Sequence, residues 1–258
     1  MDLKMGTGAP TLAALAEALL EATRRTAGDG PVTLLYSGGL DSSVLAWCLR
    51  DRDPTLFTLG SPGAFDVEAA RTGSKMLQLR HAEALIALPD VARVVREWSG
   101  EVQGLSEPMR SVVVAEILAL ERAPPGKILL GQGADELFLG YAHYRRLDTA
   151  AADLRAAEDL TILRDREWPR VERMAMRLGR TVGAPYLDRD FDALLAQVPV
   201  DAHSPSGGPT KPLLREIARA LGVPKTLVDR PKKALQYGSG VARLVRLVPR
   251  APGGETRP

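Results

Sequence analysis

Val32-Thr33-Leu34-Leu35-Tyr36-Ser37-Gly38-Gly39-Leu40-Asp41-Ser42-Ser43 is the stretch from which both fold and chemistry are read. Val32–Tyr36 is a short apolar, β-branched run and predicts a buried strand, while the residues after the loop, to about Arg50, predict a helix. The Ser-Gly-Gly turn between them gathers backbone N–H groups and hydroxyls at a helix N-terminus. Unpaired donors and the helix dipole both favour an anion there, so the turn suits a polyphosphate. Two glycines allow unusual backbone angles and leave no side chain in the way of the phosphate. Asp41 repels a bare phosphate, so its expected role is to hold a magnesium ion that the phosphates share. No Gly-Lys-Ser/Thr follows the glycines, so this is not a Walker A loop. A plain glycine turn with a serine cap is the alternative reading.

Outward from this loop, strand-like runs recur at Val32–Tyr36, Thr55–Leu59, Ala84–Leu88 and Lys127–Leu130. Helical patterns separate them at Ser42–Arg50, Phe65–Leu77, Val91–Trp98 and Val112–Glu121. This alternation predicts an α/β fold: a parallel sheet flanked by helices, with ligands outside the C-terminal ends of the strands. Residues 11–24 carry helical periodicity and are expected to pack against the sheet edge. Residues 134–200 are helical in pattern and predict a helical lobe over the cleft. Ser204-Pro205-Ser206-Gly207-Gly208-Pro209 reads as a flexible loop able to close over substrate, and the Pro/Gly-rich end of the chain as a disordered tail. The expected division is an N-terminal helix at 1–30, a nucleotide-binding core at 31–133, a helical part at 134–240 and a flexible tail at 241–258.

Further motifs follow in order. Gly131-Gln132-Gly133-Ala134-Asp135-Glu136-Leu137-Phe138-Leu139-Gly140-Tyr141 comes directly after the fourth strand run. Then come Arg173-Met174-Ala175-Met176, Ala184-Pro185-Tyr186-Leu187-Asp188, Lys211-Pro212-Leu213-Leu214-Arg215 and Arg230-Pro231-Lys232-Lys233. The first loop resembles the pyrophosphate loop of the ATP pyrophosphatases, and the set of motifs resembles the synthetase domain of the asparagine synthetases. That family's second signature is Gly-Glu-Gly-(Ser/Ala)-Asp-Glu-Leu-Phe-Gly-Gly-Tyr. The resemblance runs from about Pro31 to Gly240.

It implies an adenine nucleotide alpha hydrolase-like fold that binds ATP and Mg2+. It also implies an AMP-forming ligase that activates a carboxylate, by default aspartate, as an acyl-AMP for attack by ammonia or another amine. Carried over, Ser37, Gly38, Gly39, Asp41 and Ser42 form the phosphate cradle. Asp41 and Asp135 share the metal, with Glu136 beside them, although Asp135 also reads as a helix cap. Backbone groups of Leu35, Leu59 and Gly131 correspond to the adenine contacts. Lys232 matches the lysine that stabilises charge as the acyl-adenylate forms and reacts; Lys211 and Arg215 also read as an ordinary pair on a helix face.

Two departures bear on the second half of such a reaction. Asp2 follows Met1, and about thirty residues precede the first strand, so no N-terminal amidase cysteine is expected to hydrolyse glutamine. Nitrogen is then expected from free ammonia, another amine or a separate glutaminase or other partner subunit. Gln132 stands where the family has a glutamate, and an amide orients a nucleophile but cannot take its proton. Two other readings stay open: a tRNA-modifying adenylase of the same superfamily, and a nucleotide-sensing subunit without turnover.

Composition bounds the class of protein. The 258 residues are 45% hydrophobic and 26% charged, with a formal net charge of +2. That is a globular chain with enough apolar content for a core, and its near-balanced charge gives no case for nucleic acid. No apolar stretch is long enough to span a bilayer and no signal-peptide core is evident, so no membrane partner and a cytoplasmic location are expected. Cys48, the one cysteine, reads as core. His81, His143 and His203 have no metal-ligand spacing.

Overall fold

A computed structural model describes residues 9–203, 209–230 and 235–249. Residues 204–208 of the loop expected at 204–209, Lys232 and the chain beyond 249 lie outside the described residues. Five parallel strands, β1 (Val32–Leu35), β2 (Thr55–Gly60), β3 (His81–Leu85), β4 (Lys127–Leu129) and β5 (Val182–Gly183), form one sheet in the order β3-β2-β1-β4-β5. Helices α1 (Leu12–Ala27), α2 (Leu40–Cys48), α3 (Phe65–Leu77), α4 (Leu88–Glu97), α5 (Ser99–Val102) and α6 (Glu107–Arg122) alternate with the strands. The remainder is helical: α7 (Ala134–Leu137), α8 (Thr149–Ile162), α9 (Trp168–Arg177), α10 (Arg189–Leu195), α11 (Val200–His203), α12 (Pro212–Ala220), α13 (Lys225–Val228), α14 (Leu235–Gly238) and α15 (Val241–Leu247).

The pleat sends alternate residues to opposite faces, and each face has its own core. Leu34, Leu56 and Leu129 join α1, α2, α10 and α12 in one cluster, whereas Phe57, Leu59, Ile128 and Leu130 join α4, α6, α9 and α15 in the other. The order in which strands are added to the sheet turns from one edge to the other between β1 and β4. Loops leaving these two neighbours diverge and leave a crevice at their C-terminal ends, the usual ligand position in such sheets. Both glycine signatures open from that crevice.

Three expectations need correction, and one strand was not expected. The third strand lies at His81–Leu85 and not at Ala84–Leu88. Pro89 near the start of α4, and the Asp90 carboxylate accepting from Ala87 N–H at 2.9 Å, claim Leu88 for the helix. As an edge strand, β3 also carries His81 and Glu83 and so lacks an uninterrupted apolar signature. The two-residue β5, with Ile128 opposite Val182, is too short to leave a pattern. Helix α1 packs over α2, α10 and α12 with Leu15, Leu19 and Ala22 fully buried, so it belongs to a core and not only to an edge. Residues 241–247, expected as tail, form α15, which buries Val241, Ala242 and Val245 against α4 and α6.

Leu34 is central in the sheet and fully buried. Leu34→Ala should destabilise the protein by about 2–5 kcal/mol, read as a lowered midpoint in urea unfolding.

Candidate active site

The loop after β1 adopts its turn because Gly38 sits at φ 68, a conformation that favours glycine. Its carbonyl accepts a 2.8 Å hydrogen bond from Arg230 Nη1, which draws the segment before residue 231 onto the loop. Gly39 caps α2 without a side chain of its own, so the first-turn N–H groups stay directed into the crevice. Ser37 and Ser42 hydroxyls lie 3.4 Å apart, and Ser37 Oγ accepts from Gly39 N–H at 3.3 Å. Both hydroxyls are thus held in place at the loop. Below them, fully buried Tyr186 donates to the Asp41 carbonyl at 3.0 Å, anchoring the start of α2.

Lys211 dominates the electrostatics. Its side chain is 2% exposed, and Nζ lies 2.6 Å from Asp41 Oδ1 and 2.9 Å from Asp135 Oδ1. One ammonium therefore joins the loop after β1, the loop after β4 and the start of α12. Lys211 has φ 58, left-handed for a non-glycine residue and followed at once by Pro212; such a conformation persists only where its surroundings enforce it. Arg215 helps to enforce it, donating to the Thr210 carbonyl at 2.8 Å and to the Val228 carbonyl. Gly140 leaves the space: a Cβ there would overlap Asp135 Oδ1 and Lys211 Cε. Ser37, Gly39, Asp41, Thr210, Lys211 and Arg215 line a cavity above this ion pair.

The second signature builds the other wall. Gly133, at φ 95, caps α7, so Asp135 is inside the first turn rather than at the cap, and its carboxylate turns to Lys211. Glu136 is buried, accepts from Tyr141 Oη at 2.7 Å, and is lifted to about 7 by burial and then by Asp135. Leu139, where the family pattern has glycine, takes φ 52 at a cost of about 1–2 kcal/mol. Its buried side chain, packed with Tyr144 and Ala152, offsets that cost. Gln132 Nε2 donates to Glu116 Oε1 of α6 at 2.7 Å.

The family model described as asparagine synthase matches residues 14–168 and 152–248, together nearly the whole described chain. The chain belongs to the asparagine synthase family. Asparagine synthetase [glutamine-hydrolyzing] of Bos taurus is 27% identical over 231 residues, covering 83% of this chain and 41% of that protein. Putative asparagine synthetase [glutamine-hydrolyzing] 1 of Methanocaldococcus jannaschii is 24% identical over 273 residues, covering 89% and 50%. The chain thus spans half or less of these relatives. Among solved structures, NMN synthetase from Francisella tularensis superposes with a TM-score of 0.47 at 14% identity, over 94% of this chain and 89% of that one.

Against the asparagine synthase pattern, Ser37, Gly38, Gly39, Asp41, Ser42, Gly131, Gln132, Asp135 and Glu136 all gather in the two loops at the crevice. Leu35 and Leu59 end neighbouring strands at the same sheet edge. Of the residues read as a surface pair, Lys211 proves central and Arg215 braces it. Glu116 was missed, and Arg230 stood in a quoted motif without a role assigned to it. A lone glutamate within the apolar run Val112–Leu120 was the available signal for Glu116; a bond to a backbone carbonyl 192 positions away, as Arg230 makes, leaves none. Asp41 and Asp135 fit a magnesium ion in that two hard carboxylates aim at one cationic point. No cluster of three or more acidic, His or Cys side chains stands among the described residues, so phosphate and water oxygens would complete its shell, as is usual for this ion.

Replacing Lys211 with methionine leaves two carboxylates facing each other without a cation. Lys211→Met should destabilise the protein by about 3–5 kcal/mol in EDTA. Millimolar Mg2+ should restore part of that loss, as read by urea unfolding with and without the ion. A second expectation concerns pH. Burial lifts the Glu116 carboxyl from 4.5 to about 7, so the native state holds a proton that the unfolded chain releases. That contribution is fully present below about pH 4.5 and is lost as pH rises to about 7. The stability of wild type relative to Glu116→Gln should therefore fall by on the order of 3 kcal/mol across that window and level off above it, measured by urea unfolding at stepped pH.

Proposed function

We propose that this chain is an AMP-forming carboxylate–amine ligase of the asparagine synthetase type. It would use magnesium-ATP to activate a carboxylate, by default aspartate, as an acyl-AMP and pass the acyl group to ammonia or another amine. The observation that carries this reading is the convergence of Asp41 and Asp135, from two glycine loops at the sheet's switch point, on one buried cationic position beside a donor-lined cavity. Gly39 N–H, the Ser37 and Ser42 hydroxyls and the start of α2 supply donors for phosphate oxygens. Asp41 and Asp135 would hold magnesium, which when bound would supply charge neutralisation for the phosphates. Lys211 and Arg215 keep the floor of the cavity positive, and the water-poor surroundings strengthen each of these interactions. Lys232 is proposed as the lysine that stabilises the charge on the α-phosphate. Support comes from its flanks: Arg230 is bonded to Gly38, and Gly238 lies against Asp66 of α3.

Chromatography of the nucleotides formed from magnesium-ATP with each amino acid tests the reading. AMP and pyrophosphate are expected, and ADP with phosphate as main products would overturn it. Asp41→Asn should slow AMP formation at least tenfold, equivalent to about 1.4 kcal/mol of barrier, while the thermal unfolding transition remains cooperative.

A further inference from the structure

Gln132 occupies the position of a family carboxylate, yet the structure places a carboxylate beside it from elsewhere. Glu116 reaches from α6, 16 positions earlier in the chain, and accepts from Gln132 Nε2 at 2.7 Å. It is 2% exposed. Arg170 of α9 acts on the same carboxyl through its positive charge, and Glu167, in the turn before α9, opposes it. The other ion pairs of α6, Glu121 with Arg93 and Arg122 with Asp90, both of α4, and Glu107 with Arg246 of α15, lie at other turns of the helix.

Three atoms of this cluster, Glu116 Oε2, Gln132 Oε1 and Arg170 Nε, are buried and have no hydrogen-bond partner among the described residues. Each such group costs on the order of 1–3 kcal/mol if it stays unpaired, so the two oxygens of the hydrogen-bonded Glu116–Gln132 pair mark a place where a polar molecule belongs. Both are acceptors, the complement of a small molecule with several N–H donors. Arg170 Nε–H is left for an oxygen. The cluster adjoins the reaction crevice, because Gln132 follows Gly131, which backs onto Asp41, and precedes Asp135 by three residues.

We propose that Glu116, steered by Gln132, accepts the proton of a primary amine or ammonia in the amide-forming half-reaction, so that a carboxylate on α6 replaces the one missing from the loop. This rests on the ligase reading above. The nitrogen lone pair forms the C–N bond to the acyl carbon, the acyl–oxygen bond breaks, and AMP leaves with that electron pair. The proton shed by the nitrogen passes to Glu116 Oε2 and then to solvent. A carboxyl lifted to about 7 by burial is matched to that task near neutral pH. Gln132 Oε1 orients the amine and takes no proton.

Two assays on wild type, Glu116→Gln and Glu116→Asp separate this assignment from the reading beneath it. Exchange of labelled pyrophosphate into ATP, driven by each of the twenty amino acids, reports adenylation. Amide formed from the exchanging acid with ammonium chloride reports the second step, and hydroxylamine, whose nitrogen is largely unprotonated at neutral pH, provides a nucleophile with less need of a base. Glu116→Gln should keep exchange within about twofold while amide formation falls at least tenfold, and hydroxamate formation should fall less. The wild-type amide rate should rise through a titration near pH 7 in addition to that of ammonia, and Glu116→Gln should lose this limb. Glu116→Asp, which keeps a carboxyl but draws it back, should fall between the two and retain a limb. Equal losses in exchange and amide formation, or an unchanged pH profile in Glu116→Gln, would refute the assignment. Absence of exchange with every amino acid would instead overturn the ligase reading, and the role of Glu116 with it.

Discussion

A lysine ammonium taken out of water must be paired, because an isolated buried charge costs far more than any single packing contact returns. Lys211 meets that demand with Asp41 and Asp135, and most of the site follows from it. The two carboxylates come from loops about ninety residues apart in sequence, and the lysine comes from a third segment. Their meeting requires β1 and β4 to be neighbours, Gly140 to leave space and Arg215 to brace the Thr210–Lys211 turn. The strained backbone at Lys211 and the left-handed Leu139 flank the same spot. Strain held at a site by its surroundings is commonly tied to its work.

Around this ion pair the crevice divides by chemistry. On the side of the β1 loop it offers hydroxyls, backbone donors and positive charge, the requirements of a polyphosphate. On the side of the β4 loop it offers two buried glutamates, each lifted to about 7 and each bonded by a neighbour, Glu116 by Gln132 and Glu136 by Tyr141. The two sides thus offer different environments, one suited to anions and one to carboxyls that titrate near neutrality, and one environment does not favour both. The switch point of the sheet supplies this division by sending the two loops to opposite sides of one crevice.

Membership of the asparagine synthase family gives the two loops a shared context, and the departures within them are where this chain is individual. At Leu139 a glycine position is filled by a side chain whose burial offsets its backbone cost. At Gln132 a carboxylate position is filled by an amide, with Glu116 adjacent. Leu139 is offset by its own packing against Tyr144 and Ala152, whereas Gln132 is accompanied by a carboxylate from another helix.

The sequence by itself determined the α/β class, the buried strands β1, β2 and β4, and the two glycine loops with Asp41, Asp135 and Glu136. Those features are written in local patterns: apolar runs of strand length, and glycines where a turn needs them. Edge strands escaped that reading. β3 carries polar residues on an exposed side, β5 is two residues long, and α15 adds its apolar stripe only by covering the second core. Tertiary structure alone decided that Lys211 is the hub and Arg215 its brace, that Arg230 holds the Gly38 turn, and that Glu116 stands beside Gln132. Apart from the short-range bond of Arg215 to Thr210, these are contacts between separate elements, and their energy depends on burial, which no local pattern records.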